Sequence, residues 1–322
     1  MPLRKIVTEK NVIEALNALP PITTPVMDRF YPEKMRRPHP QAYIRIDEVA
    51  SIVRAVPVVM RGGIPVDLGQ GQGSKSIIEP QPVDVMDTVS GKDLNDIKQF
   101  DGRSQKLWLQ DRMDFARRTI RATSEALCIQ SLSGQIAFPL KTADGFDTYE
   151  IKFGDILKYD PDTKLSADGA GLEVLQAILR GMKREIRRNG GGAKIGFYAA
   201  GDVFDKIVGL LGGVASPKVK IEIGDDYVQV GSSRIELLDA EYWDPKEKVY
   251  KPALKDGTLK AVDKDGFAFR YLALDDVDAG LKPLPIFAKP IKQDLPSGWV
   301  INTMSKPLPL PNVKGICDAT VL

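Results

Sequence analysis

Histidine is almost missing from this chain: there is one among 322 residues, and cysteine occurs only twice. The single histidine, His39, stands between Pro38 and Pro40. Without a second imidazole no histidine pair can share a metal, and a Ser-His-Asp arrangement cannot be built on a proline-bound segment. Cys128 and Cys317 lie far apart with no second pair. That excludes a disulfide framework and a four-cysteine zinc site, and both residues read as buried thiols in a reducing cytoplasm. Aromatic residues make up 7%, too few for a platform on which single-stranded bases stack. An excess of one charge is missing too, since 45 Lys and Arg face 43 Asp and Glu, a net +2. No global polyanion-binding signature follows from that balance. No apolar run approaches the ~18 residues of a membrane span. The basic opening Met1 to Val7 is followed by Glu9, Lys10 and Asn11 rather than by the apolar stretch of a secretory signal. Nucleophile-elbow and zincin motifs are also absent. The sequence therefore points away from an enzyme, with no catalytic, cofactor-binding or metal-ligating residues and no membrane partner expected.

One segment invites a chemical reading. Gly69-Gln70-Gly71-Gln72-Gly73-Ser74-Lys75-Ser76 resembles a phosphate-binding loop in which Lys75 would reach the phosphates. Ser74 occupies the position where that motif requires glycine, and a P-loop opens a helix. Here Ile77-Ile78-Glu79-Pro80 follows, and the residue before a proline is pushed to extended backbone. A phosphate-binding enzyme is thus a remote alternative. The acidic run Asp275-Asp276-Val277-Asp278 reads as a solvated turn rather than a cation site.

What is present is enough apolar residue, 43%, for a substantial core and about two domains. Residues 1–46 read as an N-terminal arm: one short amphipathic helix through Val12, Ile13, Leu16 and Leu19, then prolines and basic residues with few apolar partners. Within it Arg29, Lys34, Arg36 and Arg37 are candidates to face a lumen or DNA. Residues 47–90 read as two extended runs around a glycine-rich tip, a β-hairpin ribbon whose Pro57, Pro80 and Pro82 suit edge strands. A lone two-stranded ribbon is marginal in water, so the ribbon needs a surface supplied by another subunit. Its candidate contact residues are Arg61, Gly62, Gly63, Gly69, Gly71, Gly73 and Lys75. Ser90-Gly91-Lys92-Asp93 forms a capping box for a short helix to about Phe100. From 104 to 133 Leu109, Met113, Ala116, Ile120, Thr123 and Leu127 recur every three or four residues, a long core-facing helix. A hairpin turns at Ala143-Asp144-Gly145. Beyond it come a helix ended by Asn189-Gly190, a strand at 194–199, a helix capped by Asp202, and a strand-rich stretch over 219–275. The proline-punctuated tail reads as edge or crossing strands.

Three of these stretches carry a resemblance. Val58-Val59-Met60-Arg61-Gly62-Gly63-Ile64-Pro65 with Ile78-Glu79-Pro80-Gln81-Pro82-Val83, then Val89-Ser90-Gly91-Lys92-Asp93-Leu94-Asn95 leading into the long helix, and the closing Lys306-Pro307-Leu308-Pro309-Leu310-Pro311 and Ala319-Thr320-Val321-Leu322 resemble, in order, the phage major capsid protein E family, the lambda-type major head protein. The resemblance implies an α+β chain with the Hong Kong 97-like capsid fold. Its parts would be an N-terminal arm (1–46), an extended β-hairpin loop (47–90) and a peripheral domain (91–164 and 283–322) with a spine helix at 104–133. The axial α/β domain would be 165–282. It further implies a homo-oligomer of hexamers and pentamers closing into an icosahedral shell around double-stranded DNA, made in the host bacterial cytoplasm and ending as the virion head. A scaffolding protein, a portal and a decoration protein are the implied partners. A tail-tube or head-completion protein is the alternative within virion proteins.

Overall fold

The computed structural model describes residues 7–45, 77–192, 194–212 and 219–322. The chain divides into two compact units. The first gathers residues 1–44, 79–128 and 269–309, and the second 45–78, 129–268 and 310–322.

In the first unit the dominant element is the spine helix, Gly102–Ser131, 30 residues long, whose last turn counts with the second unit. Its apolar stripe faces inward as the spacing requires: Leu109, Met113, Ala116, Ile120 and Leu127 are all buried. The preceding helix, Gly91–Ile97, starts in a full capping box, with the Ser90 hydroxyl accepting from the Asp93 N–H and the Asp93 carboxylate accepting from the Ser90 N–H. A three-stranded antiparallel sheet, in the order Phe287–Gln293, Gly298–Ser305, Val83–Ser90, lays Val89, Ala288 and Ile301 into a core shared with Leu109, Met113, Val12 and Ala15. Val83–Ser90, which the sequence reading put in the extended ribbon, is thus an eight-residue strand paired along its whole length with Gly298–Ser305.

The N-terminal stretch has more structure than a bare arm. Helix Glu9–Asn17 buries Val12 and Ala15, and the short helix Pro25–Phe30 buries Val26, Met27 and Phe30. Strand Arg36–His39 then runs parallel to Ala268–Leu272, which pairs on its other edge with Pro307–Leu310. The Tyr31 ring meets Phe269 edge-on at 6.0 Å. Each such buried aromatic or aliphatic side chain contributes roughly 1.5–3 kcal/mol, so the segment is anchored by its own apolar residues.

The second unit is built on a seven-stranded mixed sheet. Its order is Leu157–Lys158, Ile316–Thr320, Thr258–Asp263, Ile195–Ala199, Ser233–Leu237, Tyr227–Val230, Ile221–Ile223. Helices Leu172–Arg188 and Gly201–Leu211 cover it, packing Leu175, Leu179, Met182, Ile186, Phe204 and Ile207 against Phe197, Leu259, Ala261 and Cys317. The first of these helices ends at Asn189, followed by Gly190 at φ 88°, the glycine stop that the sequence predicts. The second departs from its prediction. Ala200 is the N-cap residue, with no side-chain cap, because Asp202 sits inside the first turn and accepts from the Gly257 N–H instead. Two hairpins complete the unit, Gln135–Thr142 with Gly145–Lys152 and Glu241–Asp244 with Val249–Pro252. A two-residue ladder of Ile44–Arg45 with Ile77–Ile78 stands where the chain enters and leaves residues 46–76.

Candidate assembly surfaces

The described residues offer little reactive chemistry. Among them no group of three or more His, Cys, Asp or Glu side chains is placed to hold a metal ion, and no helix is long and apolar enough to cross a membrane. Both thiols are buried. Burial pushes Cys317 up to about 12, helped by the neighbouring Asp318 and Glu185 carboxylates. Burial also drives Cys128 well above an ordinary thiol, with Glu125 adding to the effect and Arg36 and Arg121 opposing it. A thiol is inert as a nucleophile until it ionises, so neither cysteine is set up to react.

The charged groups that are buried instead fasten segments together. Glu125, on the buried side of the spine helix, accepts from the backbone N–H groups of Val26 and Met27 at 2.6 and 2.7 Å. Those donors open helix Pro25–Phe30 and have no partner within it. Burial pushes the Glu125 carboxyl up, and the two N–H donors and Arg121 pull the other way. Beside it Asp28 receives both Arg36 and, at 2.8 Å, Arg121. Burial alone would raise Asp28, but the Arg36 hydrogen bond, the Thr24 N–H and Arg121 together hold it below the usual carboxylate range. Arg36 also donates to the carbonyls of Tyr31 and Met27 at 2.8 and 3.2 Å. In the second unit Lys260 is buried, donating to the Leu132 carbonyl at 3.1 Å and pairing with Asp318.

The predicted site residues fall into two groups. Arg61, Gly62, Gly63, Gly69, Gly71, Gly73 and Lys75 lie outside the described residues. Of the four arm residues, Lys34 and Arg37 are exposed and Arg29 is half-buried. Arg36 is a correction to its sequence assignment: only 11% of its side chain is exposed, because the Asp28 carboxylate and two carbonyls hold it inward, so it is not a free lumen-facing charge.

The sequence reading missed several apolar side chains that face out. On the first unit Phe115 of the spine helix is 75% exposed and Met86 76% exposed, the latter on a strand at the outer edge of its sheet. On the second unit Trp243 and Tyr250 face each other across their hairpin at 5.1 Å and are both exposed. Their sequence signal was only an apolar residue out of phase with its element's buried stripe. Outward rings, and a strand whose outer edge has no partner strand among the described residues, suit contact with another protein.

Residues 8–321 match the family model described as phage major capsid protein E. Among solved structures, a protein assigned as a prophage capsid protein of Escherichia coli CFT073 superposes with a TM-score of 0.65 at 14% identity, covering 98% of this chain and 99% of that one. A phage-related protein from Bordetella bronchiseptica RB50 gives 0.49 at 10% identity, covering 97% and 96%. A virus-like particle from Pyrococcus furiosus gives 0.45 at 10% identity, covering 98% of each chain. No curated protein sequence matches the chain.

Proposed function

Because the chain belongs to the phage major capsid protein E family and has the Hong Kong 97-like capsid fold, we propose that its copies assemble as hexamers and pentamers into the icosahedral head of a tailed phage or prophage, enclosing double-stranded DNA. Its role is structural and not enzymatic. The observation that carries the reading is the family match across nearly the whole chain, residues 8–321. The outward Phe115, Met86, Trp243 and Tyr250 support it, since a subunit of a closed shell needs surfaces that meet complementary patches on neighbouring copies. In this reading the peripheral domain, expected at 91–164 and 283–322, is built around the spine helix, and the axial domain, expected at 165–282, around helices Leu172–Arg188 and Gly201–Leu211. Residues 46–76, with Arg61, Gly62, Gly63, Gly69, Gly71, Gly73 and Lys75, reach a neighbouring copy. Assembly takes place in the host cytoplasm with a scaffolding protein and a portal, and a decoration protein binds outside.

Lys34 and Arg37, together with Arg29, are the charges we assign to the lumen side, where they touch phosphates without reading sequence. Changing Lys34 and Arg37 to Glu together is expected to lower the DNA retained per particle while shells still form; unchanged retention would remove these residues from the lumen. The test of the reading as a whole is expression of the chain with and without a scaffold, followed by negative-stain electron microscopy. Closed polyhedral shells or hexamer sheets are expected. Tubes or isolated rings would make it a tail or head-completion protein, and a monomer under every condition would refute a shell role.

A further inference from the structure

We infer that the outer face of helix Leu172–Arg188 docks against the phosphate backbone of double-stranded DNA. The inference rests on the shell reading, which is what puts such DNA against the chain. Arg180, Lys183, Arg184 and Arg187 stand at i, i+3, i+4 and i+7 of that helix, a spacing that sets all four on one face. Arg180, Arg184 and Arg187 are exposed and Lys183 is half-buried. A different face, that of Leu175, Leu179, Met182 and Ile186, holds the helix in its core.

Among the described residues no carboxylate answers these four cations. The ion pair on this helix joins Arg188 to Glu185 at 2.9 Å and leaves the stripe unpaired. Lys183 donates instead to the Ser233 hydroxyl at 2.8 Å and lies 5.3 Å from the centre of the Phe197 ring. Arg180 turns its Nε to the Gln176 carbonyl at 3.1 Å. Burial and the neighbouring Arg187 both hold Lys183 below an ordinary lysine, as befits a cation with like charge beside it. Like charges three and four residues apart repel along a helix. The helix dipole favours cations in the last turn only, which accounts for Arg187 and Arg188 but not for the other three. An anion from outside the chain would relieve the repulsion.

The makeup of the face selects the anion. The centre of a protein–protein interface is depleted of charge and carries aromatic or aliphatic anchors. This face has the reverse character, since none of the exposed large apolar side chains lies on helix Leu172–Arg188. Non-specific duplex binding, by contrast, needs only cations that neutralise phosphates. Three of the four residues are arginines, whose planar fork matches a phosphate group. From Arg180 to Arg187 the stripe runs roughly 10 Å at ~1.5 Å per residue. That is about three phosphate steps of ~3.4 Å along one strand of a duplex. The contact reads charge and not sequence.

The test titrates the full-length, unassembled chain against a short fluorescent DNA duplex of arbitrary sequence at several salt concentrations. Changing Arg180, Arg184 and Arg187 together to Gln should weaken binding roughly tenfold or more at low salt. It should also lower the slope of log affinity against log salt by about 2–3, near 0.9 for each lost phosphate contact. A parent that does not bind the duplex, or a folded triple variant that binds like the parent, would overturn the inference. So would a variant that keeps the duplex but loses a poly-glutamate peptide that the parent binds, since the stripe would then dock an acidic protein. Should the triple variant melt early, Arg184→Ala alone is read in the same titration. A slope lower by about 1 is then expected, and an unchanged slope overturns the inference. Duplex binding is read on the unassembled chain and shells by microscopy, so failure of the inference and failure of the shell reading are distinguishable.

Discussion

Glu125 is a carboxylate held out of water by two backbone donors, and its protonation should show in the stability of the chain. Its folded pKa is raised, mainly by burial, so the native state binds its proton more readily than the unfolded state does. Stability from this group is therefore full below its unfolded value and is lost as pH rises through the folded one. Asp28 behaves oppositely, its lowered pKa giving stability above its unfolded value that is lost on acidification. Asp28 is common to the parent and to a Glu125→Gln variant, so comparing the two largely cancels it. The gap in urea-unfolding free energy should move in the parent's favour between pH 7 and pH 5; a gap independent of pH would contradict the burial argument. The thiols give a second residue-scale prediction. At pH 8 iodoacetamide should leave Cys128 and Cys317 unmodified in the folded chain and label both in urea, as read by intact mass, because burial raises both. Their burial was legible in the sequence from their type alone. Glu125 was not, because its partners Val26 and Met27 lie 99 and 98 positions away and nothing local announces the pairing. Arg36 was misassigned for the same reason: a basic residue in a proline-rich stretch looks solvated until the fold puts Asp28 beside it.

At the scale of elements, legibility followed the range of the interaction that fixes each one. The capping box at Ser90, the stripe of the spine helix and the glycine stop after Asn189 are set within a few residues, and each appears where the sequence puts it. Proline proved informative in a way that corrects the reading of the tail. Strands containing proline stand at sheet edges, as in Arg36–His39, Phe287–Gln293 and Pro307–Leu310, while the proline-free Gly298–Ser305 and Ile316–Thr320 lie in sheet interiors. The missing N–H explains the division, yet which tail segment would be central depends on pairing with residues 83–90 and 258–262, far away in the chain. Two substitutions probe these elements. Ser90→Ala should cost about 1 kcal/mol in urea unfolding through loss of the cap. Gly134→Ala, just after the spine helix, should cost more than about 1 kcal/mol. Its φ is 84°, and a Cβ there would stand 2.4 Å from the Gly154 carbonyl oxygen. A Gly134→Ala chain as stable as the parent would show that this turn relaxes freely.

The whole molecule makes sense as one member of a lattice, for the features that a solitary subunit has no use for are on its outside. Both units bury their own cores, so folding does not require a partner, yet Phe115, Met86, Trp243 and Tyr250 stay in water. Retaining such residues exposed invites association, which a shell subunit turns to use. The same logic applied at sequence level to residues 47–90, where a two-strand ribbon lacked a surface to rest on. Of that stretch the far end, Val83–Ser90, finds its surface within its own unit, which shortens the part left to reach outward. If residues 46–76 bridge to a neighbouring copy, the glycine tip is dispensable for folding and indispensable for assembly. Deleting residues 67–75 should leave the melting temperature of the unassembled chain within a few degrees of the parent's while closed shells disappear or become misshapen. Normal shells from the deleted chain would place the bridging contacts elsewhere, on the faces that carry Phe115 and Trp243. Loss of the folded monomer would show instead that the segment belongs to the subunit's own core.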